Sequence, residues 1–311
     1  MAHYTVINDS DVQTILSNYT VETAVSYKVL SGGSENTNYL VNTKTRSFVM
    51  TICEQKSTEE ATRLAFLLEH LRESNFNSSL VIKTKNNEMI SVWDKKPVML
   101  KQFIEGDIIQ DFSADLLVYL GRELARLHQV KAPHYVPQTL QYGNINRFDD
   151  VKNYAPNSSF YTWIKEKQHY IEKYIRPDLP KALIHSDVFS SNVIVNKALD
   201  RATIMDFEEA CYYYRIFDIG MMIVGTCGDQ KTINKDKLAS LLEGYEKENT
   251  LIDIEKNALK AFTVYAATTT AFWRHHNFNY VNVIPEKKNH YIEMKLLADA
   301  VMQLPDSCFV V

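Results

Sequence analysis

His185-Ser-Asp187-Val-Phe-Ser-Ser-Asn192, followed by Ala202-Thr-Ile-Met-Asp206-Phe207, decides how this chain is read. An Asp, an Asn five residues on, and a second Asp closing a β-like run form the set that phosphoryl transfer from ATP requires. In that set Asp187 orients an acceptor hydroxyl and takes its proton, while Asn192 and Asp206 offer oxygen to the Mg2+ that bridges the phosphates. Asp and Asn are also common turn residues, so the spacing alone is weak. Context strengthens it. Ala182–Ile184, Val193–Val195 and Ala202–Met205 are short apolar runs, which puts the polar residues at strand ends, where a rigid scaffold holds binding groups.

Upstream of the motif the pattern is β-rich. Val12, Ile15 and Leu16 give Ser10–Asn18 a helical face, and Tyr27–Leu30, Asn38–Asn42 and Ser47–Cys53 read as strands. Ser57-Thr-Glu-Glu60 is a capping box, after which Ala61, Leu64, Leu67, Leu68 and Leu71 carry a helix to about Ser74. Strands follow at Met89–Trp93 and Val98–Phe103, with Asn86-Asn87 and Lys95-Lys96-Pro97 as turns. Phe103-Ile-Glu-Gly-Asp107 suits a hinge. Beyond it helices dominate: Ala114–Gln129, Phe160–Ile175, Phe217–Gly225, Lys235–Asn249, Ile254–Phe278 and Pro285–Met302, interrupted by the strands of the motif. The expected fold class is α+β in two lobes. A small β-rich lobe, residues 1–103, would bind nucleotide, and a larger helical lobe, 104–311, would carry catalysis and the acceptor.

A chain of 311 residues, 45% hydrophobic, can fill two such lobes. A net charge of −4 argues against nucleic acid and anionic membrane as partners and leaves a small molecule. The protein is expected to be a monomer or homodimer. Cys53, Cys211, Cys227 and Cys308 form no C-x-x-C pair and read as apolar filler. The N-terminus lacks a basic and apolar leader and no run approaches a membrane span, so the expected location is cytoplasmic.

Ser31-Gly-Gly-Ser-Glu-Asn-Thr37 lies between the first two strands. Gly32 and Gly33 would let backbone N–H groups approach phosphate oxygens, with Ser34, Asn36 and Thr37 adding polar side chains. A plain hairpin turn explains the same residues, and only the later magnesium constellation favours the phosphate role.

Several stretches together carry a resemblance: Glu35-Asn-Thr-Asn-Tyr39, Phe48-Val-Met-Thr51, Lys101-Gln-Phe-Ile-Glu-Gly106, Leu120-Gly-Arg-Glu-Leu-Ala-Arg-Leu-His128, and Ala182 through Asp206. From about Tyr4 to about Leu304 the sequence resembles the aminoglycoside-phosphotransferase superfamily, and within it the branch of bacterial homoserine kinases. The resemblance implies a protein-kinase-like two-lobe fold, ATP and Mg2+, Asp187 as catalytic base, Asn192 and Asp206 as metal ligands, and Asp218 as a brace of the catalytic loop. From the residues alone, Asp218 opens an apolar helix and is either its cap or a partner for loop N–H groups. His185 and His128 are expected to be structural.

One departure stands out. The strand lysine that reaches the α- and β-phosphates in kinase-like chains should fall near the end of Phe48–Ile52, where this chain has Thr51. A hydroxyl cannot replace an ammonium, but the homoserine kinase branch that the chain resembles commonly has Thr there. The phosphate charge then falls to Mg2+ and loop N–H groups. The helix acid that would pair with a lysine, Glu60 or Glu69, is unassigned. Phe207 to Phe217 is too short for an activation segment, so the acceptor is small. Glu208 and Glu209 are candidates for its ammonium group, and Arg274, with His275 and His276, for its carboxylate; exposed loop acids and a helix-end cap or surface ion pair are the stronger explanation of each. Adenine would bond to backbone around Gln102–Ile104, between Leu30 or Val41 on one side and Ile204 on the other. L-Homoserine is the first acceptor, with amino alcohols, amino sugars and hydroxylysine as rivals. A nucleotide-binding scaffold without activity is the rival of another class.

Overall fold

Strand β3, Ser47–Cys53, organises the N-terminal part of the molecule. Its alternate side chains Phe48, Met50 and Ile52 enter a core shared with Val12, Ile15 and Leu16 of helix α1, Asp9–Leu16. Burying each such side chain contributes about 1.5–3 kcal/mol. The strand pairs antiparallel with β2, Asn36–Asn42, and with β5, Lys96–Gln102. With β1, Ser26–Leu30, and β4, Ser91–Trp93, these form a five-stranded sheet in the order β1-β2-β3-β5-β4. Helix α2, Thr58–Glu73, follows β3 with Ser57 as its N-cap and Glu60 closing the capping box.

The structure, a computed structural model, describes residues 5–30, 36–229 and 232–309. Two compact units emerge. One is Met1–Glu105 with Met205–Glu208, and the other is Gly106–Ile204 with Glu209–Val311. The short segment of the first unit is anchored there by Phe207, which is buried and meets the Phe76 ring edge-on at 6.0 Å.

In the second unit, helix α3, Ala114–Leu127, packs closely against helix α7, Lys235–Glu246. Gly121 and Gly244 make that contact possible, because a Cβ on either would sit 2.1 Å from a backbone oxygen of the facing helix. A single-turn helix α4, Val151–Tyr154, and helix α5, Ser159–Glu172, lead to strand β6, Lys181–Ile184. Strands β7, Val193–Val195, and β8, Ala202–Ile204, form a ribbon, and β9, Cys211–Tyr214, pairs with β6. Helix α6, Arg215–Thr226, helix α8, Asp253–His276, and helix α9, Tyr291–Gln303, complete the unit. None of the described helices is long and apolar enough to cross a membrane.

The fold class is the one expected, with local corrections. The β4–β5 turn lies at Asp94-Lys95, both at positive φ, whereas Lys96 and Pro97 already belong to β5. A two-residue hairpin of this kind needs φ above zero at both central positions, which proline cannot adopt. Pro285–Met302 is not one helix. A 3-10 turn at Pro285–Lys287 precedes α9, and bonds such as His290 N–H to the Lys287 carbonyl keep the chain on the tighter i to i−3 pattern until then. Tyr212, Tyr213 and Tyr214 lie in strand β9. Cys53, Cys211 and Cys227 are buried thiols.

Candidate active site

The catalytic loop of the second unit leaves β6 at His185. Ser186 stands at φ 67, a left-handed turn that an L-residue takes only when held. Asp218, fully buried in the first turn of α6, holds it by accepting the His185 N–H at 2.8 Å and the Ser186 N–H at 2.7 Å. The same carboxylate meets His128 Nε2 at 3.2 Å, and His128 Nδ1 lies 2.8 Å from the Tyr245 hydroxyl. A carboxylate can only accept, so the consistent order is Tyr245 donating to His128 and His128 donating to Asp218. Asp218 is thus the partner of loop N–H groups, and His128 at the C-cap of α3 is part of the brace. His185 is structural as expected: its Nδ1 accepts the Asp187 N–H.

Asp187 itself is half-buried. Its Oδ2 accepts from Asn192 Nδ2 at 3.1 Å, and its Oδ1 accepts from the Tyr142 hydroxyl at 3.1 Å. Asn192 Nδ2 also donates to the Asp187 carbonyl. Both bonds use the amino end of the amide, which fixes the amide oxygen as the group Asn192 can offer a cation. Burial and then the Asp187 carboxylate push the Tyr142 phenol well above its usual value, so it remains a donor. Tyr142 was not anticipated from the sequence.

Val193 pairs with Ile204, so Asn192 enters the β7–β8 ribbon at the end from which the chain leaves toward Asp206. Gly106, at φ +148, crosses the other end of the ribbon. A Cβ there would lie 2.3 Å from the Val195 carbonyl oxygen, while Asp107 exchanges two backbone bonds with Val195.

Around the loop, Glu209 lends its carbonyl to the Ser186 hydroxyl at 2.7 Å and its charge to the raised pKa of Tyr142. Trp273 meets the Tyr142 ring at 6.4 Å. Arg274 lies over the Phe189 ring and pairs with Glu293 at 2.7 Å. His275 is a correction. It stacks on Phe160 at 3.8 Å, and burial lowers its pKa to about 4, leaving it neutral and unable to hold a carboxylate by charge. Burial lowers His276 as well.

In the first unit, pleating divides the sheet into two faces. Opposite the core face, β3 presents Val49, Thr51 and Cys53, whose cross-strand partners Leu40, Lys101, Asn38, Met99 and Asn36 share that face. Several of the expected ligands have protein partners here. Thr51 is 3% exposed and its hydroxyl donates to Asn38 Oδ1 at 2.7 Å. Thr37 is fully buried and donates to Glu54, which also takes Lys96 and Thr5. Val41 belongs to the core, leaving Leu30 of the two adenine-facing candidates. Gly32, Gly33 and Ser34 lie outside the described residues. The Gln102 N–H is committed to the Leu80 carbonyl and that of Phe103 to Ser47.

Asp206 is exposed at φ 69, a conformation Asp tolerates better than most residues. Two residues later Glu208 accepts from Asn36 Nδ2 and pairs with Lys56 Nζ at 3.1 Å. Burial and the neighbouring Asp206 raise the Glu208 pKa, while Lys56 pulls it back. Glu208 is therefore bound within the first unit, and Glu209 is joined to the catalytic loop through Ser186. The α2 acids have other partners. Glu60 caps its own helix, and Glu69 pairs with Arg72 at 2.8 Å and Lys83 at 3.0 Å.

Solved structures share this fold. A microcompartment-associated aminopropanol kinase aligns with a TM-score of 0.76 at 17% identity, covering 98% of this chain and 99% of that one. An amicoumacin kinase in complex with AMP-PNP, Ca2+ and Ami aligns with a TM-score of 0.71 at 15% identity, covering 96% and 95%. The fold is that of a protein-kinase-like phosphotransferase. The chain belongs to the APH phosphotransferase enzyme family, which matches residues 26–251, and is a small-molecule kinase of that family. It is similar to the homoserine kinase of Zymomonas mobilis subsp. mobilis, 26% identical over 276 residues and 83% of each chain.

Proposed function

We propose that the protein transfers the γ-phosphate of MgATP to the primary hydroxyl of L-homoserine. The observation that carries the phosphoryl-transfer reading is Asp187, a half-buried carboxylate fixed through both oxygens by Tyr142 and Asn192 on a loop braced by Asp218. Asp187 aligns the acceptor hydroxyl and takes its proton as the new O–P bond forms and the bond to ADP breaks. The donor set fits Mg2+: the Asn192 amide oxygen and the Asp206 carboxylate are hard oxygen ligands. Among the described residues no group of three or more His, Cys, Asp or Glu gathers to hold a metal. Mg2+ keeps several waters and takes one or two carboxylates beside phosphate oxygens, a demand that one amide oxygen and one carboxylate can meet. Its contribution when bound is to neutralise charge on the transferred group. For the nucleotide, Ile104 is the amide of the Gln102–Ile104 stretch that we assign to the adenine edge.

The homoserine assignment rests on the relatives that carry that name over most of their length. Glu209 would take the ammonium group and Arg274 the carboxylate. An amino alcohol is the second reading, favoured by one observation: Arg274 already has Glu293 as a counter-ion and does not require a substrate carboxylate. The deciding experiment follows ADP release with Mg2+ and ATP across homoserine, aminopropanol, hydroxylysine and an amino sugar, with product phosphate located by 31P NMR. Homoserine should give the highest kcat/KM. A higher value for a non-amino-acid acceptor overturns the acceptor, and absence of transfer to any of them favours the scaffold reading.

A further inference from the structure

The phosphates of a nucleotide need a cation, and the strand position that usually provides one is closed in this chain: Thr51 is buried and its hydroxyl is given to Asn38. The face of the sheet that carries Thr51 nevertheless holds a lysine with no counter-ion. Lys101 of β5 stands opposite Val49 of β3, in a row that continues through Leu40 of β2 to Lys28 of β1. Lys28, on the edge strand, is exposed to water. Lys101 lies inside the sheet between Val49 and the bridged Val81, is half-buried, and makes no side-chain hydrogen bond or ion pair among the described residues. Lys96 of the same strand is committed to Glu54 at 2.6 Å, and Lys56 past β3 pairs with Glu208 at 3.1 Å. An ammonium partly withdrawn from water without a counter-ion is unfavourable, and an anionic ligand would relieve it. Its charge shows where the side chain points. Burial and then the Glu208 carboxylate push the Cys53 thiol up to about 11, and the Lys101 ammonium opposes them. Cys53 is about 13 Å along β3 from Val49, so the lysine stem runs over the apolar face past Thr51, toward the end that a β3 lysine would serve. In the row of Thr51, Asn38 Oδ1 accepts the Thr51 hydroxyl at 2.7 Å. That bond fixes the amide and leaves its Nδ2 donors without a partner among the described residues.

We propose that Lys101 is the phosphate-binding cation of this chain, reaching from β5 over the position that Thr51 leaves without charge, with the Asn38 amide as a second donor to the same phosphates. The proposal rests on the kinase reading above and commits to the phosphate chain of a nucleotide as the ligand. A lysine on a neighbouring strand supplies the same point charge as one on β3, because three rotatable donors on a flexible four-carbon stem demand no particular backbone origin. It also needs no acid on α2 to aim it, in keeping with Glu60 capping its own helix and Glu69 being held by Arg72 and Lys83. The competing explanation is a solvated lysine whose stem only covers Val49 and Val81.

Calorimetric titration of the full chain with MgATP and with adenosine separates the two, because a phosphate contact affects only the first ligand. Lys101→Met should weaken MgATP about tenfold or more while leaving adenosine within about twofold, as expected for a lost charged contact. Lys101→Arg should recover part of the loss. Asn38→Asp keeps an acceptor for the Thr51 hydroxyl but turns a carboxylate toward the phosphates, and should show the same selectivity. Lys28→Met, on the same row at the exposed edge, should leave both ligands within about twofold. Lys101→Gln serves as a second variant should Lys101→Met lower the unfolding midpoint. An equal loss for adenosine would set Lys101 against the base, and no loss for either ligand would leave it a solvated lysine; each result overturns the proposal. If the unaltered protein binds no MgATP, the kinase reading itself falls, a result that the variants are not needed to recognise.

Discussion

Asp187 spends both carboxylate oxygens on neighbours, and that economy makes its environment testable. Asp187→Asn preserves shape but removes the proton acceptor, so kcat should fall about 10²-fold or more while MgATP affinity stays near normal. Tyr142→Phe removes one hydrogen bond to a charged group and should lower kcat by about tenfold, with unfolding stability checked in parallel. Near-normal turnover in Asp187→Asn would remove it from the mechanism. Asp206→Ala should abolish turnover and make nucleotide binding insensitive to Mg2+, whereas Thr51→Ala should be mild because its hydroxyl serves Asn38. A Thr51→Ala defect as severe as that of Asp206→Ala would contradict this division of roles. The contact between Asp187 and Asn192 was legible because loop chemistry is written in local spacing. Tyr142 was not, because it reaches Asp187 from 45 residues upstream on a loop without periodicity.

Helix α2 shows how an element was legible while its electrostatics were not. The Ser57–Glu60 capping box and the leucine spacing placed it to within a residue at both ends. The partners of Glu69 depend on Lys83 beyond the helix, which no helical pattern encodes. Arg72 and Lys83 hold Glu69 down from 4.5 to about 2. A carboxyl lowered in the folded state stabilises the fold above its unfolded value and loses that contribution as pH falls toward its folded value. Acidification from about pH 5 to pH 3 should therefore lower the unfolding midpoint more in the parent than in Glu69→Gln. Thermal melts across that window check it, and parallel declines in both proteins would show that the pair adds nothing. The helical periodicity that served α2 failed at Pro285–Met302, where i to i−3 bonding interrupts an otherwise continuous apolar pattern.

At the scale of the whole molecule the open question is the acceptor, because its candidate contacts come from dispersed elements: Asp187 in the catalytic loop, Glu209 before β9, and Arg274 in the last turn of α8. Sequence order cannot show which of these face one another, and family membership does not choose among small hydroxylated acceptors. Arg274 is the informative residue. Its side chain is 14% exposed while that of its partner Glu293 is 55% exposed, so the acid can swing into solvent and yield its place to a substrate carboxylate. Homoserine should then gain a charge-assisted contact that an amino alcohol lacks. The guanidinium is not abandoned when the carboxylate is missing, because Glu293 remains, so the preference should be about tenfold and not the far larger factor of an orphaned buried charge. Arg274→Ala should lower kcat/KM for homoserine by about that factor and leave the amino alcohol nearly unchanged, merging the two values. Glu293→Gln should do the opposite, sharpening the preference for the carboxylate by removing its competitor. A homoserine preference that survives Arg274→Ala intact would move the carboxylate anchor elsewhere in the unit and leave Asp187 and the phosphoryl-transfer chemistry untouched.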